Sequence, residues 1–197
     1  MQSLEKLKKI SSNKSIILYQ NFNIKNTYKG MGRIIGDFNN KELLEILKYT
    51  NGASILGYCF LGIKNNKLGT NLDSFQYELW QSNDLIAGKM IGFMIDELGG
   101  TFGFLINDKV KYPLSPIVYY SQTNPNKLFI IGSSFDSFFF NFLNDIEYTI
   151  ETNTDGLLID IEIENWPFNS SHWLKNDQNL PLIYNALGTE NGIIELI

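Results

Sequence analysis

Cysteine and histidine are almost absent from this sequence. Its 197 residues include one cysteine, Cys59, and one histidine, His172. A single cysteine cannot form an internal disulfide, and together with one histidine it cannot supply the ligands of a zinc site. We therefore expect a buried structural thiol, no bound metal and no other cofactor.

Long apolar runs and basic stripes are also missing. No apolar run approaches the roughly 20 residues that a membrane-spanning helix needs, and the segment 1–15 is charged, unlike the core of a signal peptide. The lysines and arginines do not gather into a stripe that could hold a phosphate backbone. The sequence predicts a cytoplasmic protein that binds neither a membrane nor nucleic acid.

What the chain does contain is apolar and aromatic residues, at 44% and 14%, as in folded globular domains. Charge is distributed unevenly along it. Residues 1–150 carry 15 Lys and Arg against 13 Asp and Glu, whereas residues 151–197 carry one Lys against eight acids. We interpret 1–150 as one α+β domain and 151–197 as an acidic C-terminal extension packed on the same domain.

The segment 90–106, MIGFMIDELGGTFGFLI, is the strongest indication of fold. Apolar residues fill almost every position on both sides of Asp96, Glu97, Gly99 and Gly100. This pattern predicts two strands joined by a tight turn that contains glycine. Because both faces of the strands are apolar, helices from elsewhere should cover them.

Three helices are predicted from apolar residues at helical spacing. The first covers residues 2–10. The second begins at an Asn39 N-cap with Glu42 as its capping-box partner and stops at Asn51-Gly52. The third is capped by Ser133 or Ser134 and has an apolar face. That face consists of Phe135, Phe138, Phe139, Phe142 and Leu143.

The remaining segments predict a mostly antiparallel sheet. Residues 53–63, ASILGYCFLGI, are typical of one strand, and residues 117–120 and 127–131 of two more. Residues 15–39 predict a loop with at most one short strand, and Trp80 lies in a segment that is either a loop or a short helix. The fold class that follows is α+β, with a curved antiparallel sheet and helices packed on it.

The C-terminal extension contains alternating apolar and acidic residues. Ile159, Ile161 and Ile163 alternate with Asp160, Glu162 and Glu164, as in a strand with one acidic face. That face is either simply solvated or a negative surface that attracts a basic partner. Trp166 and Trp173 are either interface anchors or part of a buried cap.

The order of several features resembles the SUKH superfamily, which includes the yeast cell-wall regulator and many bacterial immunity proteins. The resemblance covers roughly residues 4–147. The residues that carry it are Asn51, Gly52, Trp80, Ile91, Gly92, Gly100, Phe104, Pro116, Val118, Ser134, Phe135 and Phe138.

This resemblance implies a non-enzymatic cytoplasmic protein that binds and occludes a cognate toxin domain, often a nuclease. We expect the toxin surface to be basic and the protein to be a monomer or weak dimer. The alternatives are a regulatory or scaffolding module and, on the paired carboxylates, a hydrolase. The candidate partner-binding residues are Asp160, Glu162, Glu164, Trp166, Trp173, Trp80, Asp96 and Glu97.

Overall fold

The computed structural model describes residues 1–19, 40–63, 71–107, 115–152 and 176–196. Within these ranges, eight strands form one open antiparallel sheet in which each strand pairs with the next one along the chain. The predicted α+β class is confirmed. The strands are β1 Ile16–Leu18, β2 Ala53–Ile55, β3 Tyr58–Phe60, β4 Met90–Ile95, β5 Thr101–Leu105, β6 Ile117–Tyr120, β7 Lys127–Gly132 and β8 Ile193–Glu195.

Helices cover both faces of this sheet. The described helices are α1 Gln2–Ile10, α2 Lys41–Tyr49, α3 Leu72–Ser82, α4 Phe135–Thr152 and α5 Leu180–Leu187. Side chains from α1, α2 and α4, together with Leu72 of α3, form one apolar core with one face, and other side chains of α3 and those of α5 form a second core with the other face. None of the described helices is both long and apolar enough to span a bilayer.

Strand β6 shows how alternation divides the side chains between the two cores. Ile117 and Tyr119 join the core beneath α4, while Val118 and Tyr120 join the core beneath α3 and α5. All of them are buried. Successive residues of a strand point to opposite faces, so a strand that is apolar throughout requires cover on both sides.

The predicted hairpin is present as β4 and β5, joined by the turn at residues 96–100. The pairing register shifts between Gly92 and Met94, so β4 contains a bulge. A side chain at Gly103 would collide with the backbone of Ile91 on the neighbouring strand. Glycine is therefore needed at 103 for the two strands to approach each other.

Strand β3 pairs with only the last part of β4, so α3 takes its place beside the first part. Gln76 is buried in α3; its Nε2 donates to Met90 O at 3.1 Å, and its Oε1 accepts from Gly92 N at 2.7 Å. The indole N–H of Trp80 also donates to Met90 O, at 2.9 Å. These side chains satisfy backbone groups that otherwise pair with a strand.

Helix α4 is as predicted, with the apolar face buried from Phe135 to Leu143. Of the two candidate caps, Ser134 is the one used, because its Oγ accepts from Ser137 N at 3.2 Å. Helix α1 lies alongside α4 and is held at both ends. Asp136 accepts from Ser3 N at 2.9 Å, and Glu147 forms ion pairs with lysines of α1.

Two local predictions are wrong. Residues 53–63 do not form one strand, because Leu56 and Gly57 have φ values of 45° and 84° and turn the chain between β2 and β3. Positive φ at both central residues defines a type I′ hairpin turn, and the apolar Leu56 concealed it. The cap of α2 is Asn40, whose Oδ1 accepts from Leu43 N at 2.9 Å, and not Asn39.

The predicted stop of α2 is also displaced. The helix ends at Tyr49, and Thr50 is already extended, so Gly52 with φ 92° lies beyond the helix and not at its cap. Asn51 instead accepts from Ile63 N at 2.6 Å through its Oδ1. The Asn51-Gly52 pair therefore joins α2 to the sheet.

We predict that Gln76→Leu lowers the free energy of unfolding by about 2–4 kcal/mol, because it leaves a buried N–H and a buried C=O with fewer partners. Urea denaturation measures the change. The matched control is Tyr77→Leu, at the next position of α3, whose side chain is 56% exposed. Equal loss in the two variants would contradict the role assigned to the Gln76 amide.

Candidate functional site

The meander brings alternate turns to the same end of the sheet, which we call the turn end. It consists of the β2–β3 turn at residues 56–57, the β4–β5 turn at 96–100 and the β6–β7 turn at 121–126. The Glu97 side chain lies against Gly57, and Gln122 lies beside Gly99. The turns therefore form one continuous surface.

Asp96 fixes the central turn. Its Oδ1 accepts from Leu98 N at 2.9 Å and from Gly100 N at 2.7 Å, and its Oδ2 accepts from the Tyr119 hydroxyl at 2.7 Å. A Cβ at Gly100 would overlap both the Tyr119 hydroxyl and the Asp96 carboxylate. Asp96 is thus a turn former whose oxygens are bonded to its own chain.

Two tyrosines, Tyr58 and Tyr119, lie close to the carboxylates of this turn. Burial raises the pKa of Tyr119, and its hydrogen bond to Asp96 raises it further. Burial also raises the pKa of Tyr58, followed by the negative charges of Asp96 and Glu97. Both phenols therefore stay protonated at neutral pH. Tyr119 donates to Asp96, and the ring of Tyr58 packs edge-on against Phe102 and Phe142.

The part of the turn end that faces solvent combines charge with an exposed apolar side chain. Glu97 is exposed, and Leu98 is 62% exposed at the tip of the turn. Residues 122–126 are exposed and mostly polar. This part of the turn end therefore presents the apolar Leu98 beside the acidic Glu97.

The structure brings together only part of the predicted site. Asp96 and Glu97 meet at the turn end, whereas Trp80 is half-buried on α3 and bonded to Met90 near the start of β4. Trp80 therefore holds α3 on the sheet. The other predicted residues lie outside the described ranges: Asp160, Glu162, Glu164, Trp166 and Trp173.

Cys59 is half-buried, not fully buried as expected, and burial raises the pKa of its thiol. Over the ranges that the structure describes, no group of three or more His, Cys, Asp or Glu side chains is placed to hold a metal ion.

Sequence reasoning missed one buried carboxylate, Asp177. It accepts from Ser133 N at 2.7 Å and from Ser133 Oγ at 2.6 Å, and it lies 44 residues away along the chain. Asp177 occurs in the polar run NDQN, which is typical of an exposed loop, so no local pattern identifies it.

Comparison with protein-family models, with curated proteins and with solved structures finds no match to this chain. The likeness to the SUKH superfamily therefore stands as an expectation from the order of its residues.

We predict that Asp96→Ala lowers the free energy of unfolding by about 2–4 kcal/mol, since two backbone N–H groups and a tyrosine hydroxyl lose their acceptor. Glu97→Ala, at the adjacent exposed position, should change it by less than about 0.5 kcal/mol. Thermal and urea denaturation measure both. If the two substitutions cost the same, the bonds of Asp96 do not hold the turn.

Proposed function

We propose that this protein is a non-enzymatic immunity protein that binds a cognate toxin domain, such as a nuclease, in the bacterial cytoplasm and covers its active site. The order of residues that resembles the SUKH superfamily supports the proposal, and so does the α+β architecture with a curved antiparallel sheet. Activity of this kind needs a surface held in shape and no chemistry of its own.

The observation that carries the proposal is that several carboxylates accept hydrogen bonds from groups of the fold itself. Asp96 holds its own turn, Asp136 accepts from backbone N–H groups at the start of α1, and Asp177 accepts from Ser133. A carboxylate with such partners stabilises the fold. Acid or base catalysis instead requires a carboxyl group that is free to exchange its proton with a substrate.

The hydrolase alternative depended on paired carboxylates at Asp96 and Glu97. Glycosidase carboxyl pairs face each other across roughly 5–9.5 Å of space that the substrate occupies. Asp96 points back into the turn toward Leu98, Gly100 and Tyr119, while Glu97 is exposed on its outer side. This arrangement favours a binding role for the turn.

A regulatory or scaffolding module would use the same surface. Genetic context separates the two functions, because an immunity gene is expected beside a large secreted gene with a variable C-terminal toxin domain. Co-expression with the neighbouring gene product is the direct test. Rescue from toxicity together with co-purification supports immunity, and failure of both contradicts it.

We predict that the turn end contacts the partner. Leu98→Arg should weaken the complex by at least about tenfold, because it places a cation and a longer side chain at the centre of the contact. Leu182→Arg on α5 is the matched control, since Leu182 is 59% exposed against 62% for Leu98. Calorimetry on the co-purified pair measures both, and equal affinities would remove the turn end from the interface.

A second prediction concerns the acidic segment of the C-terminal extension. Reversing Asp160, Glu162 and Glu164 to Lys should slow association with a basic partner and leave dissociation nearly unchanged. Wild-type association should also slow as salt rises, because surface charges are screened beyond about 8 Å at physiological ionic strength. Stopped-flow mixing at several salt concentrations measures both effects. An unchanged association rate would assign these acids a structural role.

A further inference from the structure

A polar cleft lies among α1, α2 and α4, away from the turn end. It forms where the first turns of α1 and α4 meet the start of α2, and its volume is about 560 Å³. Nearly all of its lining side chains are polar. Those that matter here are Glu42, Asp136, Ser137, Phe140, Asn141 and Asn144.

Two carboxyl groups, those of Glu42 and Asp136, line the cleft. Glu42 Oε2 accepts from Asp136 N at 2.9 Å, and Asp136 in turn bonds the start of α1. No lysine or arginine lines the cleft in the part of the chain that the structure describes. The nearby Lys6 and Lys9 on α1 form ion pairs with Glu147.

The ionised form of Glu42 is disfavoured in this position. Burial raises the pKa of Glu42, and the charge of Asp136 adds to the effect. Hydrogen bonds from the N–H groups of Asp136 and Phe135 and the charge of the α-amino group at residue 1 oppose it. A cation placed beside Glu42 would favour its ionised form.

Asn141 is the second, independent feature of the cleft. The residue is 5% exposed, and its side chain lines the cavity. No hydrogen bond joins its amide to any of the described residues, whereas the buried amide of Gln76 has partners on both of its ends. Because the Asn141 side chain lines the cleft, its amide can form hydrogen bonds with a polar group that enters there.

We propose that this cleft binds the guanidinium group of an arginine presented by the protein partner. The guanidinium carries planar N–H donors for the free lone pairs of Glu42 and for the Asn141 amide oxygen, and its flat face can stack on Phe140. The inference rests on the proposed function, because it supplies an anchor for a basic partner. The ligand could equally reach the cleft as free arginine, and the experiment separates these two sources.

The first arm uses a small probe and needs no partner. N-acetyl-arginine N-methylamide is titrated into the ¹⁵N-labelled full chain, with the citrulline analogue as the uncharged isosteric control. The expected result is a saturable shift of the Asn141 side-chain amide and of Ser137 N–H with the arginine probe and at least about tenfold weaker binding of citrulline. Equal binding of the two probes, or no shift at these groups, overturns the proposal.

Variants then test the residues. Glu42→Gln keeps an acceptor oxygen for Asp136 N and removes the negative charge, so the fold is retained while binding of the arginine probe falls about tenfold. Glu45→Gln, on the same helix at an exposed position paired with Lys48, is the matched control and should bind as wild type. Asn141→Ala should also weaken binding while leaving the described hydrogen bonds intact.

The second arm uses the complex with the neighbouring gene product. Glu42→Gln and Asn141→Ala should each weaken the complex about tenfold, with Glu45→Gln unchanged. If the partner binds all three variants equally, the proposed function stands and the cleft is not an arginine site for that partner. If free arginine weakens the complex of the wild-type protein but not the complexes of the variants, the cleft binds both free arginine and the arginine of the partner.

Discussion

The constraint on which this structure depends is that both faces of the central hairpin are apolar and must be covered. Phe93, Phe102 and Phe104 point toward α4, while Met90 points toward α3 and α5. Burying each such side chain contributes about 1.5–3 kcal/mol. A sheet with one solvated face would lose the contribution of every side chain on that face, so helices are needed on both sides of the strands.

Covering both faces leaves the chain with places where backbone groups lack a strand or helix partner, and polar side chains form hydrogen bonds with them. Gln76 forms hydrogen bonds with the first part of β4, which has no β3 partner. Asp177 accepts from Ser133, between β7 and α4, and Asp96 accepts from Gly100 N in the hairpin turn. Each of these side chains stabilises one junction. Within the described ranges, both faces of the sheet and these junctions are therefore occupied by groups of the fold itself.

This division also explains how much could be predicted from the sequence. The hairpin, α1 and α4 were predictable because the periodicity of apolar residues is a local property that a short segment of sequence shows in full. The β2–β3 turn was not, because Leu56 is an apolar residue in a turn position. The junction residues were not predictable either: Asp136 bonds Ser3 across 133 positions of sequence, and no local pattern encodes a pairing that forms only after the helices have packed.

The candidate site was likewise only partly predictable from local sequence. Asp96 and Glu97 were identified from their place in a turn, yet the surface that they share with Gly57 and Gln122 is a product of strand order. Hydrogen bonds from Leu98 N, Gly100 N and the Tyr119 hydroxyl to Asp96 order the central turn of that surface. Rigidity matters for binding, since a contact residue that is already ordered loses little conformational entropy when it is covered. In the proposed interface, an ordered turn would therefore lower the conformational cost of covering Leu98.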